Sequence, residues 1–188
     1  MTGLDRVNDA LIEVAALVTD AELNILGDGV DVIIKPSAEA LANMGEFVHQ
    51  MHETSGLLDE LADGLTMAEA EQVVLDYVRE WDPVPGRAPL GGNSVSTDRA
   101  FIDRDMPTFG AHLHYRTIDV SSIKELVRRW YPRVYFHAPV KTGGHRALGD
   151  IHDSIDELRY YRRTVFVPDP GPDSEAAKTA AAQIVKAR

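Results

Sequence analysis

With 188 residues, 44% of them hydrophobic and 26% charged, the chain is long enough for one domain with a sizeable core. A formal net charge of −11 excludes a sequence-indifferent binder of long nucleic acid, which needs a basic stripe; a few cations at one site still suffice for a very short one. The lack of cysteine excludes disulfide frameworks, thiolate metal sites and thiol nucleophiles, and neither a signal peptide nor an apolar run near the roughly 18 residues of a membrane span is evident, so a cytoplasmic protein is expected.

The predicted elements follow in chain order. "ALIEVAALV" (10–18) and "VDVIIK" (30–35) read as two strands of a hairpin, with the turn in "TDAELNILGDG" between them. "AEALANMGEFVHQMHETSGLLDELADG" reads as helix and loop, broken at Gly45 and Gly56. Thr66 and Glu69 form a capping box for a helix striped by Val73, Val74, Tyr77, Val78 and Trp81 and ended by Pro83. "VPGRAPLGGN" is a loop running into a short strand, "STDRAFIDRDMP" is helical up to its proline, and "LHYRTIDV" is a strand. Ser122 and Glu125 are expected to cap a helix striped by Ile123, Leu126, Val127 and Trp130 and stopped by Pro132, with "PRVYFHAPVKTGG" as a loop. The last strong helix lies in "HRALGDIHDSIDELRYYRR", striped by Leu148, Ile151, Ile155 and Leu158. Strands followed by alternating strand and helix give an α/β domain with a mixed sheet over 1–172, and a loosely held tail over 173–188.

Several residues could carry chemistry, and each has a plainer reading. His145 precedes Asp150 by five residues, so on a helix the two side chains diverge by roughly 140°; they converge only if His145 sits in the loop before the helix. The alternative is an exposed histidine beside a solvated acidic face with Asp153 and Asp156. Asp98 near a helix start is a metal ligand or a cap that suits the helix dipole. Ser94 and Ser96 offer donors to a phosphate or cap the same helix, and "KELVRRWYPR" is a phosphate patch or a polar helix face.

Taken together, "GNSVSTDRAFIDRDMP", "LHYRTIDVSSIKELVRRWYP" and "HRALGDIHDSIDELRYYR", with "MTGL" and "MHETSGL" upstream, closely resemble the oligoribonucleases, in wording like actinobacterial members. These are small 3′-to-5′ exoribonucleases of the DEDDh group with a ribonuclease H-like fold: a mixed sheet flanked by helices. The resemblance implies two divalent ions, magnesium or manganese, held by carboxylates across the scissile phosphate, with Asp98 and Asp150 as two of the four acids. It makes His145 the general base, a role for which an imidazole is suited near neutral pH. It also implies a substrate cradle: Leu4 wedged beside the bases, His52 nearby, and Ser94, Arg116 and Ser121 around a 5′ phosphate. Such a closed end suits very short RNA, down to dinucleotides. Family members are homodimers, and Tyr115 is implied to reach the partner's site.

One departure stands out. The family's first motif, Asp-x-Glu, lies on the first strand immediately before "MTGL", and here Met1 opens the sequence. The expectation is therefore a sheet whose first strand, with two metal-binding acids, lies upstream; Asp5 and Asp9 fall beyond that motif and do not replace it. Three readings result: a longer functional exonuclease, a catalytically dead dimeric RNA-binding relic, and a DNA proofreading-type exonuclease, which the "HYR…DVSS" segment disfavours.

Overall fold

The computed structural model describes residues 1–142 and 144–187. Strands β1 (Glu13–Thr19) and β2 (Ile25–Ile33) form the expected antiparallel hairpin, with Glu13 opposite Ile33 and Thr19 opposite Ile25. The turn is shorter than expected. Asp20 accepts the Glu22 and Asn24 backbone N–H groups and closes it within residues 20–24, and the register shift between Ala16 and Val18 carries residues 27–29 inside β2 as a bulge.

Helices α1 (Ala38–Ala42), α2 (Glu46–Thr54) and α3 (Leu57–Glu60) follow, then a 3₁₀ turn (Leu61–Asp63). Gly45 caps α2, and Gly56 at φ +77° supplies the left-handed break before α3. Helix α4 (Met67–Trp81) has the expected reciprocal Thr66–Glu69 capping box. Its buried face is Ala70, Val74, Leu75 and Val78, whereas Val73 and Trp81, read as part of the stripe, are 40% and 38% exposed.

Strand β3 (Pro89–Gly92) pairs in parallel with β4 (His114–Asp119), joined by a crossover of α5 (Ser96–Asp105) and α6 (Pro107–His112). Helix α7 (Val120–Trp130) begins earlier than expected: Asp119 accepts the Ser121 N–H and the Ser122 hydroxyl, so Ser122 serves the cap rather than being it. Pro132 starts a short helix, α8 (Pro132–Phe136), within the segment expected to be a loop, because a proline suits a first helical turn. Helix α9 (Ala147–Thr164) packs on β1, and α10 (Ser174–Lys186) buries none of its residues.

The main core joins Val14, Val32 and Ile34 of the hairpin region to Val74 and Leu75 of α4 and Phe101 and Phe109 of the crossover. Val120, Val127 and Tyr161 make a second cluster between α7 and α9. The mixed sheet is thus present as two separate pairs. Between them runs a cavity of about 660 Å³, walled by Val14–Thr19 of β1 and Pro89–Gly92 of β3 and covered by residues of α4 and α9, among them Val78, Ile151 and Ile155. Among the described residues, β1 and β3 each have a ladder partner on one edge and none on the other.

Candidate active site

The site is built around the start of α9. His145 lies in the turn before the helix, outside its helical spacing, with a left-handed backbone at φ +62°. Its charge favours the ionised form of Asp150 and so lowers that pKa. Desolvation has the larger effect and raises the Asp150 carboxyl above its ordinary range, and Asp153 adds to the rise. Two anchors fix the turn. Arg146 Nε donates to Glu13 at 2.7 Å and its Nη1 to Glu60 at 2.7 Å, while Glu13 also accepts the Ala147 N–H at 3.1 Å. On the other side, Asp153 accepts the Thr142 N–H at 2.8 Å.

Asp98 occupies the first turn of α5 and is half-buried. Desolvation raises its pKa, against its own backbone N–H and the charge of the Met1 amine. His52, in the last turn of α2, is 4% exposed; its Nε2 pairs with the Met1 carbonyl at 2.9 Å and its Nδ1 has no partner. Burial lowers its pKa, with the Met1 carbonyl pulling the other way. The charges of the Met1 amine and of His145 lower it further, against that of Glu13. Leu4 stands 76% exposed in a loop that Asp5 and Asp9 close: Asp9 accepts the Asp5 N–H and the Thr2 hydroxyl, and Asp5 the Val7 N–H. Both acids are spent on that loop, in keeping with their exclusion as substitute ligands.

Ser94 and Ser121 meet, with hydroxyl oxygens 3.2 Å apart. Ser94 sits at φ +54°, and its N–H donates to both Asp119 Oδ1 and Ser121 Oγ at 3.0 Å. Asp119 therefore ties the β3 end to the start of α7; its cap role was not read from the sequence, although an aspartate directly before a helical stretch is a signal for it. Arg116 lies on β4 with its guanidinium 5.3 Å from the Tyr115 ring centre, and Tyr115, 74% exposed, stacks on His114. The structure thus joins Ser94 with Ser121, sets His145 in the turn before the helix that carries Asp150, and leaves the Arg116 side chain against Tyr115.

The acids do not complete a metal centre. Among the described residues, no three or more His, Asp or Glu side chains converge as metal ligands. Sequence reasoning also missed Glu13 and Arg146, whose partners lie 133 residues apart and carry no local spacing signal.

The signature of the Exonuclease family matches residues 1–158. An oligoribonuclease of Streptomyces griseus is 65% identical over 184 residues, covering 98% of this chain and 92% of that one. The Cutibacterium acnes oligoribonuclease is 57% identical over 97% of this chain and 91% of that one, and the Mycolicibacterium paratuberculosis protein 62% identical over 98% and 86%. Among solved structures, a moderately thermophilic exonuclease I from Methylocaldum szegediense superposes with a TM-score of 0.60 at 20% identity, covering 87% of this chain and 39% of that one. That likeness concerns the fold, and agrees with the ribonuclease H-like α/β arrangement. Exonucleases of this kind generally use divalent metals. With its motifs, its fold and its relatives in agreement, the chain belongs to the exonuclease family, among the oligoribonucleases.

Proposed function

We propose that the protein is a 3′-to-5′ exoribonuclease that hydrolyses dinucleotides and RNAs of a few residues to mononucleotides. The observation that carries the reading is the meeting of the Ser94 and Ser121 hydroxyls just ahead of α5, whose first turn carries Asp98. A phosphate held there closes that end to a longer strand, which suits a very short one. Ser94, Ser121 and Arg116 then bind the 5′ phosphate, Leu4 and His52 border the bases, and His145 takes the proton of the attacking water. The relatives' names speak of RNA, which disfavours the DNA proofreading reading.

Asp98 and Asp150 are the two carboxylates this chain offers to a pair of magnesium or manganese ions. Each such ion takes about six oxygen ligands, so these residues alone do not hold the pair. We assign the cavity between β1 and β3 as the position of a further strand, and an Asp-x-Glu carried on it would supply the remaining acids. A homodimer belongs to the same reading, supported by the exposure of Tyr115, Trp130 and Phe136, and sedimentation tests it. A cytoplasmic setting is also part of it; no described helix is long and apolar enough to cross a membrane.

The test is mononucleotide release with manganese present, from an RNA dinucleotide, its DNA counterpart and a long RNA, using a chain with that strand supplied. The proposal requires fastest release from the RNA dinucleotide. A preference for either competitor overturns it.

A further inference from the structure

Glu157 is a carboxylate with no place in the site described, yet it is only 4% exposed and has four partners. Its Oε1 faces Lys124 Nζ at 3.0 Å and accepts the Tyr161 hydroxyl at 2.8 Å. Its Oε2 accepts Asn93 Nδ2 at 3.1 Å and lies 3.7 Å from Lys141 Nζ. Burial pushes this carboxyl up, but the bonds from Lys124 and Tyr161 and the charges of Lys124 and Lys141 outweigh it and keep the group below its usual value.

Two arms leave this hub. Asn93 also donates to Ser154 at 3.0 Å, and its Oδ1 accepts the Ser121 hydroxyl at 3.1 Å, which directs that hydroxyl's oxygen toward the Ser94 N–H. Lys141 is next to Thr142, whose N–H is held by Asp153, and leads the segment that ends at His145. Both arms end on Oε2 of this one buried acid, so removing its charge loosens both, whereas cutting one arm leaves the acid its other partners and the second arm in place.

We propose that Glu157 is a positioning residue that couples the phosphate-binding end (Ser94, Ser121) to the segment carrying His145, through Asn93 on one side and Lys141 on the other. The inference rests on the proposed roles of Ser121 and His145. Glu157 itself touches no substrate; it sets both ends of the site from behind.

The test uses variants that separate the arms. One readout is the dissociation constant of a 5′-phosphorylated dinucleotide relative to its unphosphorylated form. The other is amide exchange at Thr142, next to the exchange rates of α9. Asn93→Ala should weaken binding of the phosphorylated ligand selectively, by roughly tenfold, and leave Thr142 exchange alone. Lys141→Met should speed Thr142 exchange by roughly tenfold and leave the phosphate selectivity alone. Glu157→Gln should do both, with Lys124 left to α7. Tyr161→Phe removes a partner of Glu157 that belongs to neither arm, and should move neither readout. If Tyr161→Phe or a general rise of exchange along α9 reproduces the Glu157→Gln result, Glu157 is merely structural and the coupling fails. If Glu157→Gln does not fold, the Asn93 and Lys141 variants decide alone. Ser121→Ala separates the two levels: selectivity lost there but kept in Asn93→Ala and Glu157→Gln sinks only the coupling, whereas selectivity kept in Ser121→Ala sinks the phosphate-binding reading and the coupling with it.

Discussion

His145 holds a left-handed backbone that a β-carbon normally disfavours, and such strain persists only where neighbours impose it. The imposed position sets it in the turn ahead of the helix that carries Asp150. In a chain with the upstream strand supplied, His145→Asn tolerates that backbone and removes the base, so turnover should fall roughly 10²- to 10⁴-fold while dinucleotide binding changes little. A rate within a few-fold of the parent would show that another group takes the proton. Arg116→Ala should weaken a 5′-phosphorylated dinucleotide by tens-fold, since a charge-assisted phosphate contact is worth about 1.5 to 3 kcal/mol; the unphosphorylated ligand should be nearly indifferent. Equal losses, measured by calorimetry, remove Arg116 from the phosphate end. His52 gives a pH signature. Its pKa is lowered in the fold, by burial first, so the unfolded chain takes the proton more readily than the native one. Its contribution is complete above the ordinary value of 6.5 and is lost as pH falls below that value through the folded one. The gap in melting temperature between the parent and His52→Asn should therefore shrink as pH drops from about 7.5 to 5. A gap constant with pH would mean that His52 takes up its proton equally in both states.

At the scale of elements, α9 is fastened to the hairpin by Glu13, Arg146 and Glu60. Arg146→Met removes the cation and leaves Glu13, 5% exposed, with only the Ala147 N–H. Breaking a buried pair in this way costs about 3 kcal/mol, or roughly 6 to 12 °C in melting temperature for a chain of this size. A shift under 2 °C, on the order of a surface pair, would show the clamp to be solvated. This clamp also marks where the sequence stopped being legible. The Thr66 box and the helix breaks at Gly45 and Gly56 are local signals, and each is where the spacing placed it, whereas the loop position of His145 was implied by the resemblance. The Ser122 cap failed because Asp119, one turn earlier in the competition, offers a carboxylate to two donors at once. Val73 was misread because a helix packed on a hairpin buries one narrow face, and which of two adjacent valines lies on it depends on the partner surface. The pairing of Glu13 with Arg146 and of Glu157 with Lys141 is written nowhere in local spacing. Only the tertiary fold brings them together.

At the scale of the molecule, the central fact is a sheet in two halves with an apolar cavity between them. Unpaired backbone edges facing such a space are unfavourable and invite pairing with other chains. A chain extended upstream by about a dozen residues ending in Asp-x-Glu has the roughly 9 residues that a strand of ordinary length needs. It should be more soluble and melt higher, and it should release mononucleotides from a dinucleotide with manganese, whereas the span 1–188 alone should release few or none. Equal turnover by the two chains would mean that the metal acids lie elsewhere. Equal solubility would mean that the cavity is not a strand position.

The far end of α9 has a consequence for the order of assembly. Arg159 donates to the Leu23 carbonyl and Arg162 to the Ala21 carbonyl, so this helix of 18 residues clasps the tip of the first hairpin as well as its base. The residues joined are 133 to 141 positions apart. Closing loops of that length is entropically slow, and contacts that need it form after the local ones. During synthesis the hairpin, α4 and the crossover can settle while α9 is still being made, but the side chains of the site have no fixed mutual geometry until it docks. Competence therefore arrives only once α9 has been made and docked, in a single late step, and pulse-labelled exchange should find the α9 amides protected last.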